Sequence, residues 1–335
     1  MRNANRVFTL AARPTGFAGP EHFAEATRAV RAPNDGEVMV ETMYISIDPA
    51  MRVWVNEDPG YVARMEIGDV MRAGGIGRVV ESRDPSLKVG DLVSARLGWQ
   101  TCPTLKATEV EKLDLSVGSA EDWLGLIGMG GLTAYFGLKD IGQPRPGQTV
   151  LVSGAAGAVG QMVAQIGKIE GCRVVGIAGG AEKCRRLIAE FGLDAAIDYK
   201  AEPDLAAAIA RACPQGVDVF YDNVGGETLE AAISQLAIGG RVVICGRISQ
   251  TSLDVPYGVK NLGMLIGRRG RIQGFVVTDF EARFEEGRHW LAMQAKAGRL
   301  KLAMHVLAGL DAAPNGLGML FRGENTGKLV VKVAE

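Results

Sequence analysis

Histidine is scarce in this sequence, and its cysteines come without partners at close spacing. The 335 residues include three histidines, His22, His289 and His305, and five cysteines, Cys102, Cys172, Cys184, Cys213 and Cys245. No C-x-x-C occurs and no histidine stands at ligand spacing from a cysteine, so no bound metal is expected, structural or catalytic. An odd, dispersed set of cysteines argues for reduced thiols and a cytoplasmic chain. No G-x-S-x-G is present, which removes the nucleophile elbow of a serine hydrolase. Neither charge sign is in surplus: 37 Lys and Arg face 38 Asp and Glu. With no excess of cations to neutralise phosphates, a nucleic-acid partner is not expected. Long apolar runs are missing too. The longest stretch, Trp123–Leu138, is glycine-rich and broken by Thr133, too short to span a bilayer. Met1–Pro14 lacks a basic region followed by an apolar run, so no secretory signal is expected.

What is abundant is glycine, 45 residues, much of it between apolar runs. That pattern suits an α/β protein with tight strand–helix connections, and the length favours two domains. Up to about Glu121 the chain reads as strands and turns, with alternation in Glu37–Tyr44 and runs at Gly75–Val80 and Lys88–Val93. From about Gln148 short apolar strands alternate with helices. Strands are predicted at Thr149–Ser153, Arg173–Ile177, Val217–Tyr221, Arg241–Cys245 and Ile272–Val277. Helices are predicted at Val159–Glu170, Glu182–Phe191 (stopped by Gly192) and Glu227–Leu236. Such alternation implies a parallel sheet covered on both faces. The closing segment Gly327–Val333 is again a strand, expected to return to the first module.

The segment Val152–Gly160, VSGAAGAVG, lies between a predicted strand and a predicted helix, the context a dinucleotide-binding turn requires. Gly154 permits the tight turn, Gly157 lets backbone approach a pyrophosphate, and Gly160 lets the helix pack close to the sheet. Free amides at the helix start would then face the phosphates. The second strand ends Ile177–Ala178–Gly179–Gly180 with no acid to bind a ribose 2′-hydroxyl, and Lys183 follows. NADPH is therefore expected over NADH, with Lys183 on the 2′-phosphate and Arg185 and Arg186 on a solvated helix face.

Several stretches together resemble one family. They are Tyr44–Arg52 (YISIDPAMR), Ile67–Val80, Gly128–Leu138 (GMGGLTAYFGL), Val150–Gly160, Gly176–Cys184 and Asp194–Lys200. Asp218–Gly226 (DVFYDNVGG), Cys245–Gln250, Gly274–Val277 and Gly323–Val330 complete the set. The sequence is similar, nearly end to end, to the zinc-free medium-chain dehydrogenase/reductases that include prostaglandin, plant alkenal and bacterial curcumin reductases. The resemblance implies an α/β fold with a doubly wound Rossmann sheet at 127–306. A β-rich GroES-like substrate domain would comprise 1–126 with 307–335 returning to it, the active site lying in the cleft.

It also implies site residues. Gly157, Ala158 and Val159 would lie at the pyrophosphate, and Gly179, Lys183 and Tyr199 at the 2′-phosphate end. Asn223, Cys245, Gly246, Ile248, Phe275, Val277 and Asn325 would line the rest of the cofactor, with Thr133 near the nicotinamide. Family members often carry tyrosine where this chain has Ala50, and again after the I-S-Q segment, where it has Thr251. Both losses imply a roomier pocket or a different substrate, with Trp54, Tyr61 and Tyr257 available to fill similar space. The implied chemistry is NADPH-dependent reduction of the C=C bond of an α,β-unsaturated ketone or aldehyde. Tyr257 and Thr251 are candidate donors to the enolate oxygen, alongside a ribose hydroxyl or a backbone amide. Water or Tyr257 would protonate the α-carbon. A quinone reductase of the same fold and a non-catalytic, crystallin-like NADPH-binding protein stand as alternatives. The resemblance further implies a small hydrophobic carbonyl substrate and a homodimer paired through the sheet edge at Ile272–Val277.

Overall fold

The structure is a computed structural model that describes residues 4–60, 62–253 and 255–334. The chain divides into two compact units, Gly125–Ala303 and Met1–Leu124 with Met304–Glu335.

The Gly125–Ala303 unit is built on a six-stranded sheet of β1 (Thr149–Ser153), β2 (Arg173–Ala178), β3 (Ala195–Asp198), β4 (Val217–Asp222), β5 (Leu236–Ile244) and β6 (Arg271–Gly274). The order is β3-β2-β1-β4-β5-β6, and every pairing is parallel. This is the strand order of a Rossmann sheet, and it reverses direction between β1 and β4. β1 is buried at all five positions, as a strand covered on both faces must be. The connecting helices are α1 (Ala158–Ile169), α2 (Ala181–Phe191), α3 (Leu205–Ala212) and α4 (Gly226–Ser234). Gly192 ends α2 in the left-handed conformation, φ 71°, which a glycine adopts without a Cβ penalty. Leu151, Val175, Phe220 and Val242 lie in one buried cluster with Ile209 and Ile233 of the helices. Each side chain of that size contributes about 1.5–3 kcal/mol on burial.

Two strands differ from expectation. β5 begins at Leu236, five residues before the predicted Arg241. The strand predicted at Ile272–Val277 spans only Arg271–Gly274, and Val277 opens a 3-10 turn that runs to Arg283. Asp279 explains the stop, since its side chain accepts from the Val276 amide at the turn entrance.

The other unit is mostly antiparallel, with a seven-stranded sheet and the separate ribbon Ala4–Leu10 with Phe23–Ala29. The long strand Glu37–Ser46 pairs with Gly75–Ser82 and with Lys328–Lys332. The tail strand therefore does return to the first module. A parallel neighbour, Met304–Ala308, borders it, and helix Ala313–Arg322 makes the crossover between them. Ile45, Ile47 and Met51 pack with Leu317, Leu329 and Val331 in one core. Among the described residues no helix is long and apolar enough to cross a membrane.

Candidate active site

The carboxyl ends of β1 and β4 flank the reversal of strand order, where open α/β sheets bind ligands. Ser153 ends β1 and Asp222 ends β4, and the Ser153 hydroxyl donates to Asp222 Oδ1 at 2.7 Å. Asp222 is fully buried and also accepts from the amides of Val224 and Gly225. Burial holds its carboxyl above the usual range, and those donors work against the rise. Sequence reasoning did not single out this carboxylate, although it lies inside the D-N-V-G-G stretch. Its effect is to fix Asn223. The Asn223 amide donates to Ser153 Oγ at 2.8 Å and its side chain to Ser153 O at 2.7 Å.

The glycine turn leaves β1 at Gly154, φ 57°. Gly157 caps α1 with no side-chain hydrogen bond, so the first amides of the helix, at Ala158, Val159 and Gly160, have no acceptor from a cap. Gly160 is required for closeness: a Cβ there would lie 2.2 Å from Gly154 O. A glycine cradle with uncapped amides at a helix start fits a pyrophosphate.

The end of β2 carries no acid. Gly180 has φ 99°, and its amide donates to Asp198 Oδ1 at 2.7 Å. The same oxygen takes the Lys200 amide at 3.0 Å. Asp198 therefore ties the β2 loop to the end of β3 and brings Tyr199 and Lys200 beside Gly179. Tyr199 is 48% exposed. Lys183, on the first turn of α2, is half-buried. Burial lowers its pKa, and the nearby Lys200 charge lowers it further. Two ammonium groups that repel each other beside an open tyrosine face fit an extra phosphate. Lys200 was missed at the sequence level, and its only signal is position, one residue beyond Tyr199.

The loop after β5 follows the same edge. The Cys245 and Gly246 amides both donate to Asp222 O, and the Ile248 amide donates to Asn223 O. A Cβ on Gly246 would lie 3.1 Å from Asn223 O. Cys245 is half-buried, and burial pushes its thiol up to about 11, with a hydrogen bond to Tyr221 opposing the rise. Tyr221 is fully buried and donates to the Thr133 carbonyl at 2.9 Å. The Thr133 hydroxyl donates back to Met129 O within its helix. Phe275 and Tyr221 converge on Gly137, where a Cβ would meet each at 2.5 Å. Thr133, Cys245 and Phe275 are thus brought around Tyr221, a residue not singled out beforehand. Val277 stands two residues past Phe275, at the start of its 3-10 turn.

The candidate donors lie farther along this loop. Thr251 Oγ1 donates to Ile248 O at 3.1 Å. The Tyr257 hydroxyl donates to Glu230 Oε1 on α4 at 3.0 Å, and the Lys260 amide donates to Glu230 Oε2 at 2.7 Å. Tyr257 is thereby anchored to α4, and its amide donates to Gln250 Oε1 at 2.6 Å.

In the other unit, Ala50 opens the short helix Ala50–Trp54. Trp54 packs against the unit's core, and its buried Nε1 has no hydrogen-bond partner among the described residues. Asn325 lies in the loop before Lys328–Lys332, its side chain donating to Gly327 O at 2.7 Å. Tyr61 lies outside the described residues. Among the described residues no group of three or more His, Cys, Asp or Glu side chains could hold a metal ion.

Residues 6–113 match the family described as N-terminal domain of oxidoreductase, and residues 158–293 the family described as zinc-binding dehydrogenase. The NADPH-dependent curcumin reductase of Escherichia coli is 39% identical over 339 residues, spanning 99% of this chain and 98% of that protein. The NADP(+)-dependent 2-alkenal reductase of Nicotiana tabacum is 40% identical over 303 residues, 89% of this chain and 88% of its own length. The crystal structure of CurA in complex with NADPH from Vibrio vulnificus superposes with a TM-score of 0.93 at 36% identity, covering 98% of this chain and 99% of that one. With an oxidoreductase match in each unit and relatives of this identity along its length, the chain belongs to the zinc-free medium-chain dehydrogenase/reductase family, in the group of the curcumin, alkenal and prostaglandin reductases.

Proposed function

We propose that this chain is an NADPH-dependent oxidoreductase that reduces the C=C bond of α,β-unsaturated ketones and aldehydes. The observation that carries the cofactor reading is the pairing of an uncapped, glycine-cradled helix start with Lys183 and Lys200 beside an acid-free strand end. The substrate class rests on the near end-to-end likeness to the curcumin and 2-alkenal reductases.

In this reading the amides of Gly157, Ala158 and Val159 take the pyrophosphate. Lys183 and Tyr199, with room left by Gly179, take the 2′-phosphate. Asn223, Cys245, Gly246, Ile248, Phe275, Val277 and Asn325 line the remaining cofactor surface, and Thr133 stands near the nicotinamide. Bound NADPH supplies the hydride. Saturating the double bond also takes one proton at the α-carbon, and charge gathers on the carbonyl oxygen on the way. A positioned donor to that oxygen is where the chain helps most. Tyr257 and Thr251 are the candidate donors, and each must give up its present acceptor, Glu230 or Ile248 O, to serve. Ala50 and Trp54 border the substrate. The substrate domain is the unit of 1–124 with 304–335, and the cofactor domain is the unit of 125–303. The protein works in the cytoplasm as a homodimer paired through the β6 edge.

The test is NADPH oxidation with a panel of enones, enals and quinones, with products identified. Saturated ketones and aldehydes are expected. Ketones reduced to alcohols with the double bond untouched, turnover of quinones alone, or binding of NADPH with no acceptor consumed would each replace this reading.

A further inference from the structure

Lys328 is 3% exposed, a buried ammonium at the start of the tail strand. Taking such a charge out of water is costly unless it is paired and hydrogen-bonded. Its Nζ donates to Asp48 Oδ1 at 2.6 Å and to Ser46 Oγ, and lies 3.5 Å from Ile47 O. Ser46 donates in turn to the other oxygen of Asp48. The strands on either side pair only as far as Val330 opposite Ser46, followed by the Ile47 amide on Leu329 O. Beyond that point the backbone ladder ends, and the lysine side chain spans the gap.

The two segments it joins are both candidate site segments. Lys328 directly follows Gly327, whose carbonyl holds the Asn325 side chain. Asp48 precedes helix Ala50–Trp54, and its carbonyl accepts the Met51 amide at 3.0 Å. We infer that Lys328 is a positioning residue: by gripping Ser46 and Asp48 it fixes the Ala50 helix relative to the Asn325 loop, and so sets the affinity for the acceptor. This inference rests on the assignment of Ala50 and Asn325 proposed above.

Asp48→Asn and Lys328→Met in the full chain test it. Asp48 is 39% exposed, so the Asn variant keeps the core intact. Both variants are expected to raise amide exchange of residues 48–54 at least tenfold. The KM for an enone should rise at least fivefold, with kcat within twofold of the parent. A merely structural lysine would lower the melting temperature and leave KM unmoved, and that result overturns the inference. Unchanged exchange in residues 48–54 overturns it as well. If the parent protein turns over no enone, the proposed function falls, and the exchange of 48–54 still decides whether Lys328 holds that segment.

Discussion

A methyl group built on Gly179 would lie 2.9 Å from Tyr199 Cε1, so this glycine and this tyrosine occupy one another's space at the ends of β2 and β3. Lys200 Cε comes within 3.0 Å of the same point. The missing side chain lets an aromatic face and a lysine stem lie across the strand end, with the Lys183 charge close enough to feel that of Lys200. Lys183→Ala is expected to raise the KM for NADPH by about ten- to a hundredfold, the equivalent of one charge-assisted bond of about 1.5–3 kcal/mol. The KM for NADH should move less than twofold. Steady-state kinetics with both nucleotides check this, and equal losses would remove the phosphate role.

Gly160 and Gly157 differ in what surrounds them. A Cβ on Gly160 meets backbone, Gly154 O at 2.2 Å and Ala155 Cα at 2.7 Å, which cannot yield as a side chain would. Gly160→Ala is expected to cost about 1–3 kcal/mol of stability by overpacking. A Cβ on Gly157 meets only Gly154 O, at 3.2 Å. Gly157→Ala should keep its melting temperature and bind NADPH more weakly. Thermal unfolding with and without NADPH separates the two. A Gly160→Ala protein as stable as the parent would refute the packing argument.

Tyr257 spends its proton on Glu230. Tyr257→Phe is expected to lower stability by about 1 kcal/mol, the worth of one such bond, and to reduce kcat/KM for an enone less than tenfold because Thr251 still supplies a donor. A hundredfold fall with unchanged stability would instead make Tyr257 the proton donor.

Burial pushes the thiols of Cys172, Cys213 and Cys245 up to about 11, from an ordinary value of 9.0. Each folded thiol keeps its proton while the unfolded chain loses it near pH 9. The contribution to stability is whole below pH 9 and declines as pH rises towards 11. Chemical denaturation across pH 8–11 should show this decline, smaller in Cys245→Ala. At pH 8 Cys245 should alkylate more slowly than a free thiol, and rapid labelling there would contradict its neutral state.

Much of the cofactor unit was legible in the sequence because parallel strands are apolar throughout and break at glycines. The turn at Gly154–Gly160, the stop at Gly192 and the acid-free end of β2 all depend on neighbours within a few residues. What stayed hidden depends on distance along the chain. Lys200 joins Lys183 only because β3 lies beside β2. Tyr221 reads as core until its hydroxyl is seen to reach Thr133, 88 positions away. Glu230 lies in a predicted helix, and nothing near it in sequence shows that it anchors Tyr257, 27 positions away. The early end of β6 was missed because Phe275, Val276 and Val277 are good strand residues, and one side-chain contact from Asp279 outweighs their preference.

The tail strand Lys328–Lys332 seals a sheet whose long strand, Glu37–Ser46, is made almost three hundred residues earlier. During synthesis that sheet has an open edge until Lys328–Lys332 leaves the ribosome, whereas every strand of the Rossmann sheet has emerged by Gly274. Domains complete as units, so the middle of this chain can finish folding before its beginning. A nascent chain stalled after about residue 300 should hold a protease-resistant core made from its centre and a cleavable amino-terminal third.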